Sequence, residues 1–222
     1  MDHCKDKHSP DEYETLLFRA MRVILASQSP RRRDLLNLIG ITHTVRPADI
    51  DETPLPGERP LVVVERLARA KAARIAADAN DALVIAADTI VVIDDHILNK
   101  PVDVHDARRM LRTLQGRRHD VYTAVCVTCD GREAAGVEDT GVWFRPLTDA
   151  EIDAYIATGE PMDKAGAYGI QGYGATIVER VDGDFFTVVG LPLVRLTRLL
   201  TEIGITYDFG QLRHSPSGSD RP

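Results

Sequence analysis

From residue 22 onward, short apolar runs alternate with amphipathic stretches of helical period, and Gly, Pro, Asn and Asp mark the joints. Val23-Ile24-Leu25-Ala26 reads as a buried strand. Ser29 as N-cap and Pro30 as first helical residue then open a helix that ends at Gly40. The Pro and Gly cluster at 54–60 makes a loop leading into a long Ala-rich helix through about residue 78. Leu83 to Ala87 is a strand, and Ile90–Ile93 and His96–Leu98 flank Asp94-Asp95 as a hairpin. A helix with Asp103 or Asp106 near its start ends at Gly116, and Asp130-Gly131 turns a second hairpin. Thr148 with Glu151 is a capping box for a helix that stops at Gly159, and Asp182-Gly183 turns a third hairpin within 175–189. Pro192 opens the last helix, which ends at Gly204. Ser9-Pro10-Asp11-Glu12 predicts an additional helix over 10–20.

Helices mixed with both hairpins and single strands imply an α/β fold, a single domain with a twisted mixed sheet flanked by helices. A purely parallel doubly wound sheet would not hold three hairpins. The expected organisation is an N-terminal extension over 1–21, one domain over 22–208 and a disordered tail over 209–222, where Ser, Pro, Gly and charge dominate. The glycines at 166, 169, 172 and 174 follow a helix and a loop, which argues against a dinucleotide fingerprint.

Composition narrows the partners. At 222 residues and a formal net charge of -7, the chain lacks the basic surplus of nonspecific nucleic-acid binding. Its polar first twenty residues and the lack of a long apolar stretch lead to the expectation of a cytoplasmic protein with no membrane contact. The three cysteines fit that setting. Cys126 and Cys129 fall in a β-rich run whose odd spacing sends them to opposite faces, and the histidines show no ligand spacing, so any metal would be held by oxygen.

Several residues stand in settings that call for a partner. Arg31, Arg32 and Arg33 begin the first helix, where unpaired N–H groups already favour an anion. Leu67, Lys71 and Ile75 share one i, i+4 line, which puts an ammonium on the apolar stripe of the long helix; the alternative is a snorkelling side chain. Asp88 interrupts an apolar run, and its carboxylate needs a cation, a metal or hydrogen bonds. Lys100-Pro101 and Asp49-Ile50-Asp51-Glu52 would be surface decoration in isolation. The segment from Gly159 to Gly172 combines glycines with Asp163, Lys164 and Gln171, offering close backbone approach, both signs of charge and an amide.

In order along the chain, Ser27-Gln28-Ser29-Pro30-Arg31-Arg32, Asp51-Glu52, Arg69-Ala70-Lys71-Ala72, Ala87-Asp88-Thr89, Lys100-Pro101, Asp163 to Gly172 and Val189-Gly190-Leu191-Pro192 resemble the motifs of the Maf family of nucleoside triphosphate pyrophosphatases. The resemblance spans about residues 22 to 205. It implies a Maf/inosine triphosphate pyrophosphatase-like fold and hydrolysis between the α and β phosphates with Mg2+ or Mn2+, in a homodimer. It assigns Ser27, Ser29, Arg31, Arg32, Lys71, Thr89, Lys100, Asp163, Lys164 and Gln171 to the substrate, and Glu52 and Asp88 to the metal. It also makes Asp88 the proton acceptor, a role that competes with metal ligation. Arg31 after Pro30, Thr89 after Asp88 and Gln171 after Ile170 resemble the dTTP and UTP branch rather than the 7-methyl-GTP branch. Modified pyrimidine triphosphates would extend this to a house-cleaning role. A family association with septum formation offers an alternative, a nucleotide-binding regulator of cell division without turnover.

Overall fold

The computed structural model describes residues 21–79 and 81–215; the helix expected at 10–20 lies outside them. Strand β1 (Val23–Leu25) leads into helix α1 (Pro30–Leu38), whose N-cap Ser29 accepts from the Arg32 N–H at 3.4 Å. Strand β2 (Thr44–Val45) pairs in parallel with β1. After an irregular stretch, helix α2 (Pro60–Ala76) buries Val64, Leu67, Lys71 and Ile75 on one stripe. Strand β3 (Leu83–Ile93) turns at Asp94-Asp95, both at positive φ, into β4 (His96–Leu98). Helix α3 (Val104–Leu114) starts at Asp103, which accepts from the Asp106 N–H at 2.8 Å. Strands β5 (Arg118–Cys129) and β6 (Arg132–Phe144) form the hairpin turned by Asp130-Gly131.

The Thr148–Glu151 capping box opens helix α4 (Asp149–Ala157), and Gly159 at φ 76 ends that segment. Short 3-10 turns at 160–163, 165–167 and 172–176 lead to strand β7 (Val178–Gly183). Helices α5 (Phe185–Val189) and α6 (Leu193–Glu202) follow, then strands β8 (Ile205–Asp208) and β9 (Gln211–His214).

Three expectations are corrected. Asp182-Gly183 is not a hairpin turn: β7 pairs with β6, and Asp184 caps α5 by accepting from the Phe186 N–H at 3.0 Å. Disorder does not begin at 209, because β8 and β9 form an antiparallel hairpin through Phe209-Gly210. That hairpin is anchored on the domain, with Tyr207 donating to the Ile39 carbonyl at 2.8 Å and Gly40 so close to Gly210 that a Cβ there would sit 2.9 Å from its Cα. Nor does Asp88 interrupt its run. β3 is one eleven-residue strand that pairs with β5 from Val84 to Val92.

Among the described residues the main sheet has seven strands, ordered β2-β1-β3-β5-β6-β7 with β4 beside β3. Both β1 and β4 lie on the β3 edge opposite β5, β1 against residues 83–85 and β4 against 91–93. The edge between them carries no strand. It opens at the carboxyl end of β1, the position where open α/β sheets form a crevice. Strand parity then sorts the side chains. Leu83, Ile85 and Ala87 join the core under α1 and α6, whereas Val84, Ala86 and Ile90 join the core under α2. Asp88 shares the parity of the second set. Cys126 and Cys129 likewise fall in opposite cores. No helix among the described residues is long and apolar enough to cross a membrane.

Candidate active site

A cleft of about 970 Å³ opens at the gap in the β3 edge. Ser27, Ser29, Arg31, Arg32, Glu52, Lys71, Asp88, Thr89, Lys100, Asp163, Lys164 and Gln171 all line it. The site candidates, drawn from segments far apart in sequence, thus share one cavity of a size suited to a small ligand.

Lys71 occupies the floor. Its parity on α2 faces the parity of Asp88 on β3, and the ammonium Nζ lies 2.7 Å from Asp88 Oδ1 and 2.7 Å from Glu52 Oε1. Lys71 is 8% exposed and Asp88 7%, so the ammonium does not snorkel; its charge is met by carboxylates. Glu52 reaches in from the irregular stretch before α2, with its side chain 56% exposed. The Lys71 position therefore marks a point where two hard oxygen donors converge.

The N-terminus of α1 forms one wall. Ser27 Oγ accepts from the Ser29 N–H at 3.1 Å, which shapes the turn out of β1. Arg32, expected to hold substrate, lines the cleft with its guanidinium largely engaged by the protein. Nε donates to the Gly190 carbonyl at 2.8 Å, Nη1 to the Ala87 carbonyl at 2.8 Å and to Ser27 Oγ at 3.1 Å, and Nη2 to Thr89 Oγ1 at 3.0 Å. Arg32 thus caps the strandless β3 edge and ties it to α1 and to the turn before α6. Burial pulls this guanidinium below its ordinary range, with Asp88 opposing.

Thr89 is held in the same net. Thr123 donates to the Thr187 carbonyl at 2.7 Å, so the 2.9 Å contact between the two threonines has Thr89 as donor. Its remaining capacity accepts from Arg32. Thr89 and Thr123 stand directly opposite each other in the β3–β5 register. By contrast, Arg31, Lys100 and Gln171 face the cleft with few internal partners. Arg31 approaches only Asp163, at 3.5 Å, and Lys100 and Gln171 make no side-chain hydrogen bond among the described residues.

The opposite wall is the turn-rich segment after α4. Lys164 donates to the Glu160 carbonyl at 2.5 Å and to Asp163 Oδ1 at 2.6 Å. Burial acts to raise the Asp163 carboxyl, but the bond and charge of Lys164 together with the charge of Arg31 outweigh it and leave the group below its usual value. Glu160 and Tyr155, for which sequence reasoning assigned no role, hold this wall from behind, as does His119, whose Nε2 is hydrogen-bonded to the cleft-lining Tyr168 hydroxyl at 2.8 Å. His119 stacks edge-on to Phe144 and Tyr168, and burial pushes its pKa down to about 3. The only local signal for these residues was a helix stop at Gly159 followed by an acid; their partners lie too far along the chain for spacing to reveal.

A family model described as Maf-like protein matches residues 22–203. The dTTP/UTP pyrophosphatase of Anaeromyxobacter dehalogenans (strain 2CP-1 / ATCC BAA-258) is 53% identical over 189 residues, covering 83% of this chain and 95% of its own. The dTTP/UTP pyrophosphatase of Aquifex aeolicus (strain VF5) is 47% identical over 185 residues, covering 83% of this chain and 97% of its own. Among solved structures, the Staphylococcus aureus Ham1 protein aligns with 84% of this chain and 91% of its own at 14% identity and a TM-score of 0.44, a likeness too loose to carry an argument.

Proposed function

The chain belongs to the Maf-like protein family, and on that premise we propose that it hydrolyses a nucleoside triphosphate, dTTP and UTP foremost, to the monophosphate and pyrophosphate. The observation that carries the reading is the placement of Lys71 between Glu52 and Asp88 on the floor of a cleft walled by a helix N-terminus and by Arg31 and Lys100. Carboxylates beside cations are what phosphoryl chemistry needs: one set to hold a metal ion or orient water, the other to hold a polyanion.

The donor set fits Mg2+ or Mn2+. Glu52 and Asp88 offer hard oxygens at a common point, each within 2.7 Å of the Lys71 ammonium. Such ions are commonly held by one or two carboxylates, with substrate phosphates and water completing the shell. Held by Glu52, with Asp88 beside it, the cation would neutralise phosphate charge and polarise the α phosphoryl group.

The remaining roles belong to the chain. Arg31, Lys100, Lys71 and the hydroxyls of Ser27 and Ser29 hold the phosphates, with the α1 N-terminus adding its dipole. Asp88 Oδ1 is engaged by Lys71, whereas Oδ2 has no hydrogen bond among the described residues and accepts the proton of the attacking water. Water oxygen bonds to the α phosphorus, the bond to the bridging α–β oxygen breaks, and pyrophosphate leaves. Gln171, exposed on the rim, presents its amide to the pyrimidine edge. Arg32 acts through Ser27 and Thr89 by fixing the wall on which they stand. Modified uracil or thymine nucleotides that keep the O4 and N3–H edge would be read in the same way as dTTP and UTP.

The test is pyrophosphate release from dTTP, UTP, CTP, GTP and 7-methyl-GTP with and without Mg2+ or Mn2+. The proposal expects metal-dependent turnover of dTTP and UTP above the rest. Turnover confined to 7-methyl-GTP would overturn the substrate assignment, and binding without turnover would favour a regulator.

A further inference from the structure

The segment that carries Gln171 is held by a carboxylate with no part in the chemistry above. Glu160 opens the first 3-10 turn after Gly159. Its Oε1 accepts from the Tyr155 hydroxyl at 2.8 Å and from the Gly174 N–H at 2.9 Å, and its Oε2 accepts from the Tyr173 N–H at 2.8 Å. The Tyr155 hydroxyl accepts in turn from the Gly169 N–H at 3.1 Å. Both ends of the stretch 169–174 are therefore tied to one Tyr–Glu clamp, with Gln171 between them.

The clamp leaves little slack. A Cβ at Gly174 would overlap the Gly169 carbonyl oxygen and sit 2.6 Å from the Tyr155 hydroxyl, and one at Gly172, itself at φ +68, would overlap Glu160 Oε2. Burial acts to raise the Glu160 carboxyl, but the Gly174 N–H, the Tyr155 hydroxyl and the Tyr173 N–H outweigh it and keep the group below its ordinary value. The anion thus accepts three charge-assisted bonds at neutral pH.

We propose that Glu160, together with Tyr155, is a positioning residue for base selection, holding the backbone at Gln171 where its amide meets the pyrimidine. The inference rests on the reading of Gln171 as the base contact. A fixed amide discriminates because a base without the matching group leaves it unpaired, whereas an amide on a loose loop withdraws to water.

The experiment measures kcat and KM for UTP and GTP in the wild type, Glu160→Gln, Tyr155→Phe, Gln171→Ala and the Glu160→Gln/Gln171→Ala double variant. Tyr155→Phe keeps the ring and removes only the hydroxyl, so the question stays answerable if Glu160→Gln folds poorly. Glu160→Gln is expected to lower the UTP-to-GTP ratio of kcat/KM about tenfold, through KM with kcat little changed, the scale of one charge-assisted hydrogen bond. Tyr155→Phe should shift it in the same direction, and the double variant should be no less selective than Gln171→Ala. Selectivity lost in Gln171→Ala but kept in both clamp variants overturns the positioning role alone. Selectivity kept in Gln171→Ala removes the base contact and this inference with it.

Discussion

Lys71 on α2 and Asp88 in the middle of β3 meet at 2.7 Å, seventeen residues apart in sequence and both almost wholly buried. The contact explains how an eleven-residue strand accepts a carboxylate without breaking. It also explains why a lysine occupies the core-facing line of Leu67 and Ile75.

Replacing Lys71 with Met keeps most of the stem and removes the charge, leaving Asp88 and Glu52 facing each other. Breaking a buried pair costs about 3–5 kcal/mol; because Glu52 is largely exposed, we expect about 2–3 kcal/mol here. The loss should appear as a lower melting temperature in chelator, and millimolar Mg2+ should restore more stability to Lys71→Met than it adds to the wild type. An equal Mg2+ effect on both proteins would contradict convergence of the carboxylates on one cation.

Arg32 separates charge from geometry. Lysine preserves the charge but cannot span Gly190, Ala87, Ser27 and Thr89 at once. Arg32→Lys should lose about 1–3 kcal/mol in denaturant unfolding and lower kcat/KM at least about tenfold, since the wall that carries Ser27 and Thr89 relaxes. Wild-type stability with full activity would return Arg32 to the role of a simple phosphate cation.

His119 makes stability depend on pH in a defined direction. Its folded pKa, near 3, lies below the ordinary 6.5, so the unfolded chain binds the extra proton and stability falls as pH drops from 6.5 toward 3. Within that window one proton is worth about 1.4 kcal/mol per pH unit. Between pH 5.5 and 4.5 the wild type should therefore lose about 1.4 kcal/mol more than His119→Gln, which does not titrate. Parallel unfolding curves for the two proteins would show that His119 is protonated in the fold.

Local rules made much of this fold legible. Ser29, Asp103 and Thr148 cap their helices where their sequence signals place them, and the turns at Asp94-Asp95 and Asp130-Gly131 pair their strands. Lys71 and Asp88 were visible as polar residues in apolar settings, although spacing could not say that they meet. What escaped depends on distant partners. That Arg32 braces Gly190, 158 residues away, through its Nε is beyond what spacing can show. The β8–β9 hairpin is hidden by a polar tail composition because its anchor is Ile39 and Gly40, far up the chain. Asp182-Gly183 has the sequence of a hairpin turn, but Asp184 satisfies a helix N-terminus instead, and β6 supplies the strand partner.

The most direct test compares the wild type with Asp88→Asn, supplied with dTTP and Mg2+, by the amounts of dTMP and pyrophosphate formed. The change is nearly isosteric, and Asn can still accept from Lys71, so the fold should persist. Equimolar dTMP and pyrophosphate are expected from the wild type, with a fall of about 10² to 10⁴-fold in the variant, the range of a lost general base. Undiminished turnover by Asp88→Asn, or release of phosphate in place of pyrophosphate by the wild type, would contradict these expectations.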